Sequence, residues 1–249
     1  MTAEEIVRRS LRNFFRDFVE IVNVLVVPAE QLRLEIPIEG REHLDAARAK
    51  GKGVIALGAH LGNFFLLGNR LAAEGYSTSF LVNQPRNGLF AKFSHRYRSQ
   101  VRQKNIHARP RAEALRELHQ VLRRNEVAVI VADEYRRGSG VLVPLFGRTV
   151  MARRGPATLA LRTGAAVVPV CLVRDQKGTL KLIIEPELEL LRAHQGKTDI
   201  RENTLRMTQW LEKTVRTYPD QWNWMNIHWQ DDIESRLVTK DQQVQRLTY

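Results

Sequence analysis

A histidine between two glycines is the first candidate for chemistry in this chain. His60 stands in the run GAHLGN, residues 58–63, after an apolar segment typical of a buried strand and before a segment with helical spacing. Open α/β sheets bind their ligands where a strand ends and a helix begins. The positive end of the helix dipole favours a neutral imidazole, which accepts protons. We interpret His60 as a candidate general base, with a purely structural histidine as the alternative.

Two carboxylates follow a second apolar run, residues 126–132. Asp133 and Glu134 come directly after it. If this strand and the strand before His60 are parallel neighbours, both carboxylates emerge at the same edge of the sheet as the histidine. The alternative is that Asp133 caps a turn, as aspartate often does.

Arginines supply a candidate anion site beyond these carboxylates. Arg136 follows Glu134 within two residues, and Arg153 and Arg154 precede a predicted helix that contains Pro156. Arginines at a helix start suit phosphate or carboxylate, because guanidinium groups and backbone N–H groups then donate together.

The elements that position these residues alternate along the chain. Strands are predicted at residues 53–58, 77–83, 126–132, 165–174 and 180–186, and helices at 63–74, 112–124, 154–163 and 203–218. This order predicts one α/β domain, residues 34–230, with a mostly parallel or mixed central sheet flanked by helices. Residues 231–249 are polar and are predicted to form a loose C-terminal tail.

An amphipathic helix is predicted before this domain, within residues 1–33. Apolar residues recur at helical spacing over residues 1–27, with arginines between them, and Pro28 ends the pattern. Phe14, Phe15 and Phe18 make one face strongly apolar. This face either packs on the domain or lies in lipid headgroups.

Composition limits the classes of protein. The chain has 249 residues, a net charge of +12 and one cysteine, Cys171, which excludes an internal disulfide and a cysteine-based zinc cluster. We predict no metal and no cofactor. The uncharged stretch at residues 21–29 is too short to span a bilayer, and no signal peptide is evident. The expected location is therefore cytoplasmic, with peripheral attachment to a membrane.

The positive charge is concentrated in residues 86–124, which hold eleven basic and two acidic residues. Such a segment is either a solvated face or a landing surface for an anionic partner, such as an anionic membrane or an acidic protein. Nucleic acid is not expected as a partner, because aromatic residues are few there and no nucleic-acid motif accompanies them.

Three motifs together resemble a known family. GAHLGN, the block beginning ADEYRRGSGVLVPLFGRTVMARRGP, and PDQWNWMNIHW are similar to the bacterial lipid A late acyltransferases of the lysophospholipid (glycerolipid) acyltransferase superfamily. The resemblance covers residues 53–229. It implies a glycerolipid-acyltransferase-like fold and transfer of a fatty acyl group from acyl carrier protein or acyl-CoA to a hydroxyl of a lipid acceptor. It also implies a location at the inner face of the bacterial inner membrane.

The resemblance assigns His60 as the base that deprotonates the acceptor, and Arg136, Arg153 and Arg154 as groups that hold phosphate. The family motif His-x4-Asp/Glu implies an acid five residues after the histidine, but Phe65 stands there. Phenylalanine accepts no hydrogen bond from imidazole, although it can line an acyl pocket.

Three explanations for Phe65 remain open. Asp133 or Glu134 supplies the missing carboxylate, or the acceptor is an amine that an unassisted histidine can deprotonate. In the third, the chain is a non-catalytic relative that binds acyl groups, phospholipid or carrier protein; such a relative is expected to have no carboxylate within reach of His60.

The expected mechanism is direct attack of the acceptor on the thioester, because no activated serine or cysteine is recognisable. Backbone N–H groups of Gly62 and Asn63 are expected to hold the oxyanion. Acidic acyl carrier protein is the expected partner of residues 86–124. The aromatic cluster around Trp222 is expected to pack against the sheet.

Overall fold

The computed structural model of the chain describes residues 1–24, 28–83, 103–135, 140–193, 196–227 and 229. Within these ranges the strands are β1 (Ile38–Glu39), β2 (Val54–Gly58), β3 (Thr78–Val82), β4 (Gln103–His107), β5 (Val127–Val131), β6 (Val141–Leu145), β7 (Arg148–Ala152), β8 (Ala166–Arg174) and β9 (Leu180–Ile184). The helices are α1 (Ala3–Val24), α2 (Ala29–Glu35), α3 (Arg41–Ala49), α4 (Phe64–Ala73), α5 (Arg111–Arg123), α6 (Gly155–Thr163) and α7 (Lys197–Thr217). Short 3₁₀ turns lie at Pro219–Gln221 and Trp224–Asn226.

Seven of these strands form one twisted sheet in the order β1-β9-β8-β2-β5-β3-β4. Every pairing is parallel except that of β8 with β9. The predicted α/β class and mostly parallel sheet are therefore confirmed. β2 lies between β8 and β5, so the strand that precedes His60 is central and covered on both sides.

Helices cover both faces of the sheet because strand side chains alternate between them. Val54 and Ala56 of β2 join a core with α2, α3 and α4, whereas Ile55 and Leu57 join a second core with α5, α6 and α7. Such continuous apolar strands are typical of a parallel sheet buried on both faces.

Several elements lie outside the sequence predictions. The short strands β1 and β4 and the helices α2 and α3 were not predicted, and α7 begins at Lys197 rather than near residue 203. Strands β6 and β7 form a separate antiparallel hairpin through a turn at Phe146 and Gly147, both with positive φ. β6 contains Pro144, which weakens its strand signal.

Cys171 lies in the core. Its thiol is buried in β8, and burial, with the nearby Glu185 carboxylate, raises the pKa of the thiol to about 12. A thiol held in this protonated form is not a nucleophile at neutral pH.

Two segments discussed from the sequence lie wholly or partly outside the described residues. The C-terminal tail at residues 231–249 lies outside the described residues, and so do residues 86–102 of the basic segment.

Candidate active site

The register of two neighbouring strands brings His60 and Asp133 to the same level. β2 pairs with β5 in parallel, with Gly58 opposite Val131. His60 and Asp133 each come two residues later, so both emerge at the carboxyl edge of the sheet. The conditional prediction that these two strands are parallel neighbours is confirmed.

A carboxylate lies within hydrogen-bond distance of the histidine. Nδ1 of His60 is 2.7 Å from Oδ1 of Asp133, and the backbone N–H of His60 donates to Oδ2 over 2.9 Å. The Asp133 side chain is 2% exposed, whereas that of His60 is 18% exposed. A buried carboxylate fixes the imidazole ring with its proton on Nδ1, which leaves Nε2 as the basic nitrogen.

A third donor holds the same carboxylate. The indole Nε1–H of Trp222 donates to Oδ2 of Asp133 over 2.8 Å, and Trp222 is fully buried. Both oxygens of Asp133 are thus occupied by donors, which restricts the carboxylate to one orientation. Packing alone was expected of Trp222, so this role was missed; no local sequence signal links it to a residue 89 positions away.

The segment that carries Trp222 is paired with the GAHLGN run. The N–H of Gly62 donates to the carbonyl of Gln221 over 2.8 Å, and the N–H of Asn223 donates to the carbonyl of His60 over 2.9 Å. Leu61 and Trp222 form an antiparallel bridge between these bonds. The backbone on either side of the histidine is therefore held independently of its side chain.

Gly62 has a structural reason to be glycine. Its φ is +57, and a Cβ there would lie 2.0 Å from the carbonyl oxygen of Leu172 in β8. The adjacent N–H of Asn63 donates to that same carbonyl over 2.9 Å. The close approach of this loop to β8 requires the absence of a side chain.

These contacts correct one expectation about the oxyanion. The N–H groups of Gly62 and Asn63 were expected to hold it, but both already donate to backbone carbonyls, those of Gln221 and Leu172. Glycine spacing in the sequence does not reveal this, because the acceptors come from distant segments of the chain.

His60 lies between two cavities. One, of about 90 Å³, is largely apolar and lies beneath α1, with Leu11, Trp224 and Met225 in its wall. The other, of about 500 Å³, is more polar and includes Arg109 and Glu134. Among the described residues, five line both cavities: Phe14, His60, Phe64, Phe65 and Asn223. A bound molecule can therefore place hydrocarbon on one side of the imidazole and polar groups on the other.

Helix α1 forms part of this site. A buried guanidinium, Arg174 of β8, bonds to Asp17 and Glu20 of the helix, and its Nη1 donates to Glu20 Oε1 over 2.8 Å. Nδ2 of Asn63 donates to Glu20 over 3.1 Å, which links the helix to the GAHLGN run. Arg16 adds an exposed pair with Glu20.

The surroundings shift the pKa values of Asp17 and Glu20 in opposite directions. Burial raises the pKa of Asp17 to about 6, although Arg174 opposes the shift. Burial also acts on Glu20, but Arg174, together with the hydrogen bond from Asn63 and the charge of Arg16, outweighs it and lowers the pKa of that group. Glu20 is the more exposed of the two carboxylates, which makes its charged form less costly than that of Asp17.

The other predicted site residues are spread around the cavities. Glu134 lines the larger cavity, and its Oε2 lies 4.0 Å from Nη2 of Arg153. Arg154 is exposed at the start of α6, and Phe65 packs against Phe64 with ring centroids 4.0 Å apart. Arg136 lies outside the described residues. In this geometry Asp133, rather than Glu134, is the carboxylate bonded to His60 through Nδ1.

The fold and this geometry define a class of protein. It is an α/β protein with a histidine–carboxylate pair at the carboxyl edge of a parallel sheet, beside a cavity suited to hydrocarbon. Residues 2–231 match the family model described as bacterial lipid A biosynthesis acyltransferase, and the chain belongs to that family. Members of the family transfer acyl chains to lipid acceptors, so the resemblance noted from the motifs is confirmed.

Curated relatives extend the match over most of the chain. The chain is 27% identical over 234 residues to the phosphatidylinositol mannoside acyltransferase of Mycobacterium tuberculosis, which covers 91% of the chain and 71% of the relative. It is 25% identical over 245 residues to the phosphatidylinositol mannoside acyltransferase of Mycolicibacterium smegmatis, covering 95% and 77% respectively.

Two kinds of feature are absent from the described residues. No helix among them combines the length and apolar character that a membrane crossing needs. No group of three or more histidine, cysteine or acidic side chains in that part of the chain is arranged to hold a metal ion.

Proposed function

We propose that the chain transfers a fatty acyl group from a thioester, on acyl carrier protein or coenzyme A, to a hydroxyl group of a lipid acceptor. His60 is the general base, and Asp133 orients it. The observation that carries this proposal is the 2.7 Å contact between His60 Nδ1 and Asp133 Oδ1 in a chain of the acyltransferase family.

The reaction is direct attack. His60 Nε2 takes the proton of the acceptor hydroxyl as its oxygen bonds to the thioester carbonyl carbon, and the carbonyl electron pair moves to oxygen. When the carbonyl re-forms, the carbon–sulfur bond breaks and the leaving thiolate takes the proton from Nε2. The products are an ester and a thiol, and the imidazole is neutral again. Asp133 stabilises the intervening imidazolium.

The contact bears on the three explanations for Phe65. The carboxylate missing from the His-x4-Asp/Glu position is supplied by Asp133, so a hydroxyl acceptor needs no special acidity. The non-catalytic alternative was expected to have no carboxylate within reach of His60, and this geometry speaks against it. Phe65 lines both cavities and is suited to contact an acyl chain beside the base.

Charged groups near the larger cavity suit a polar acceptor headgroup. Arg109 lines that cavity, and Arg153 lies beside Glu134, which lines it too. We propose that Arg153, with Arg154 and Arg136, binds phosphate or other anionic groups of the acceptor or donor. The curated relatives carry names that refer to phosphatidylinositol mannosides, and the proposed acceptor is of this type, a lipid with a hydroxyl-rich headgroup.

Acyl transfer by the purified full chain tests the proposal. Acyl-CoA and acyl-carrier protein are each mixed with lipid A precursors or with phosphatidylinositol mannosides, and the lipid products are measured by mass spectrometry. We expect one more acyl chain on an acceptor and release of an equal amount of thiol. Saturable binding of acyl-CoA without product in any combination would favour the non-catalytic alternative.

We also propose peripheral attachment to an anionic membrane through α1. Apolar side chains at Val7, Leu11, Phe15 and Val19 form an exposed stripe on this helix, with Phe15 67% and Val19 59% exposed. Arg8, Arg12 and Arg16 form the adjacent stripe. An apolar stripe beside a basic stripe is typical of helices that lie in the headgroup region. The stripe borders the apolar cavity beside His60, so a lipid chain would have a short path to the base.

Replacing Phe15 and Val19 together by serine is expected to weaken binding to phosphatidylglycerol vesicles by about tenfold or more, because each apolar side chain then contributes less burial in the membrane. Neither residue lines the cavity, so vesicle flotation reports attachment alone. Leu142→Ser, at an exposed apolar residue on β6, is the matched control and should bind like the wild type. Equal binding of the double variant would leave α1 a purely structural helix.

A further inference from the structure

We propose that the side-chain amide of Asn223 is the donor that holds the oxyanion, an inference that rests on the proposed function. A thioester under attack develops negative charge on its carbonyl oxygen, and transferases supply preorganised donors for that charge. The backbone N–H groups of Gly62 and Asn63, which were expected to hold this oxygen, are already bonded to the carbonyls of Gln221 and Leu172.

The position of Asn223 follows from the two cavities. If the acyl chain occupies the apolar cavity and the acceptor headgroup the polar one, the carbonyl carbon lies at the wall they share. Three of the five described residues in that wall are Phe14, Phe64 and Phe65. The remaining two are His60 and Asn223, so within the described residues the base and this amide are the polar groups common to both cavities.

The orientation of the amide follows from its neighbours. The backbone N–H of Met225 donates to Oδ1 of Asn223 over 3.1 Å. An N–H can pair only with the oxygen of the amide, so Nδ2 is on the opposite side, with two N–H donors. Among the described residues Nδ2 donates to no other group.

The backbone of Asn223 is also held close to His60. The backbone N–H of Asn223 donates to the carbonyl of His60 over 2.9 Å, and the neighbouring Trp222 is bonded to Asp133. Base, orienting carboxylate and amide are therefore joined by hydrogen bonds into one unit. A preorganised donor requires this kind of support.

Substitutions can distinguish the proposed role of Asn223 from a purely structural one. Its Oδ1 caps the 3₁₀ turn Trp224–Asn226. Asp and Ser cap such turns about as well as Asn. However, Asp has no amide N–H, and the side chain of Ser is too short to place its hydroxyl where Nδ2 lies. A capping role predicts that N223D and N223S behave like the wild type. The proposed role predicts that both lose turnover.

The experiment measures kcat for acyl transfer, the Kd for acyl-CoA and thermal unfolding in wild type, N223S and N223D. We expect kcat to fall about 10²- to 10³-fold in both variants, with unchanged unfolding and a Kd for acyl-CoA within a few-fold of wild type. The neutral N223S controls for the charge that N223D adds beside the imidazole.

Three results would overturn the inference. If the wild type transfers acyl groups and both variants keep kcat within a few-fold, Asn223 is a cap and the proposed function stands. A loss in kcat matched by an equal loss of acyl-CoA binding would make Asn223 a binding residue instead. A wild type without transfer overturns this inference together with the proposed function.

Discussion

His60→Ala is expected to lower the rate of acyl transfer by roughly 10³- to 10⁴-fold, because the variant has no group to take the acceptor proton. The fold should survive. The backbone N–H and carbonyl of His60 bond to Asp133 and to the N–H of Asn223, and both bonds involve main-chain atoms that alanine retains. The measurement is kcat/KM for transfer at saturating donor, with unfolding temperature as the check on folding.

His43→Ala is the matched control for this substitution. His43 lies on α3, away from both cavities, and its side chain makes only a 4.0 Å contact with Glu42 among the ion pairs of the described residues. We expect this variant to transfer at the wild-type rate. Acyl transfer by pure, folded His60→Ala at a rate close to wild type would remove the proposed base.

Asp133→Asn is expected to cost roughly 10⁴-fold in transfer, as loss of the orienting carboxylate does in serine-protease triads. The hydrogen bonds explain the severity. Oδ2 of Asp133 accepts from the backbone N–H of His60 and from the indole of Trp222, so the single oxygen of asparagine must take that place. Its NH₂ then faces Nδ1 of His60, which must become an acceptor. The ring proton moves to Nε2, and the basic nitrogen is lost.

Asp175→Asn makes the same chemical change in the exposed turn after β8. Asp175 accepts backbone N–H bonds from Lys177 and Thr179, which asparagine can also accept, so activity should not change. Wild-type transfer by Asp133→Asn would show that the 2.7 Å contact is structural only.

Much of the fold follows from local patterns. Apolar runs long enough to be buried strands predict β2, β5 and β8, and helical spacing predicts α4, α5 and α6 within one or two residues. The hairpin of β6 and β7 escaped prediction, because Pro144 and the half-exposed positions of these strands blur their alternation. Short elements such as β1 and α2 are stabilised by tertiary packing rather than by their own propensity.

The candidate site, like the fold, could be predicted from the sequence only in part. Residue types and strand ends were enough to select His60, and they narrowed the acid to Asp133 or Glu134. The side chains of consecutive residues in a strand point to opposite faces of the sheet. Which of the two carboxylates lies near His60 therefore depends on the register of β5 against β2. The parallel pairing, with Gly58 opposite Val131, brings the Asp133 side chain to Nδ1 of His60.

Other parts of the site depend on the tertiary structure alone. Trp222 bonds to Asp133, and Asn223 to the carbonyl of His60, because a segment near the end of the chain pairs with Leu61 and its neighbours. Helix α1 becomes a wall of the site because Arg174 lies buried opposite two of its carboxylates.

The sequence by itself thus determined the class of fold, the candidate base and the pair of candidate acids, since each depends on residues close together in the chain. The geometry that joins them depends on hydrogen bonds between residues 73 and 89 positions apart, for His60 and Trp222 with Asp133. Such bonds require the strands to be in this register, and no local preference encodes them.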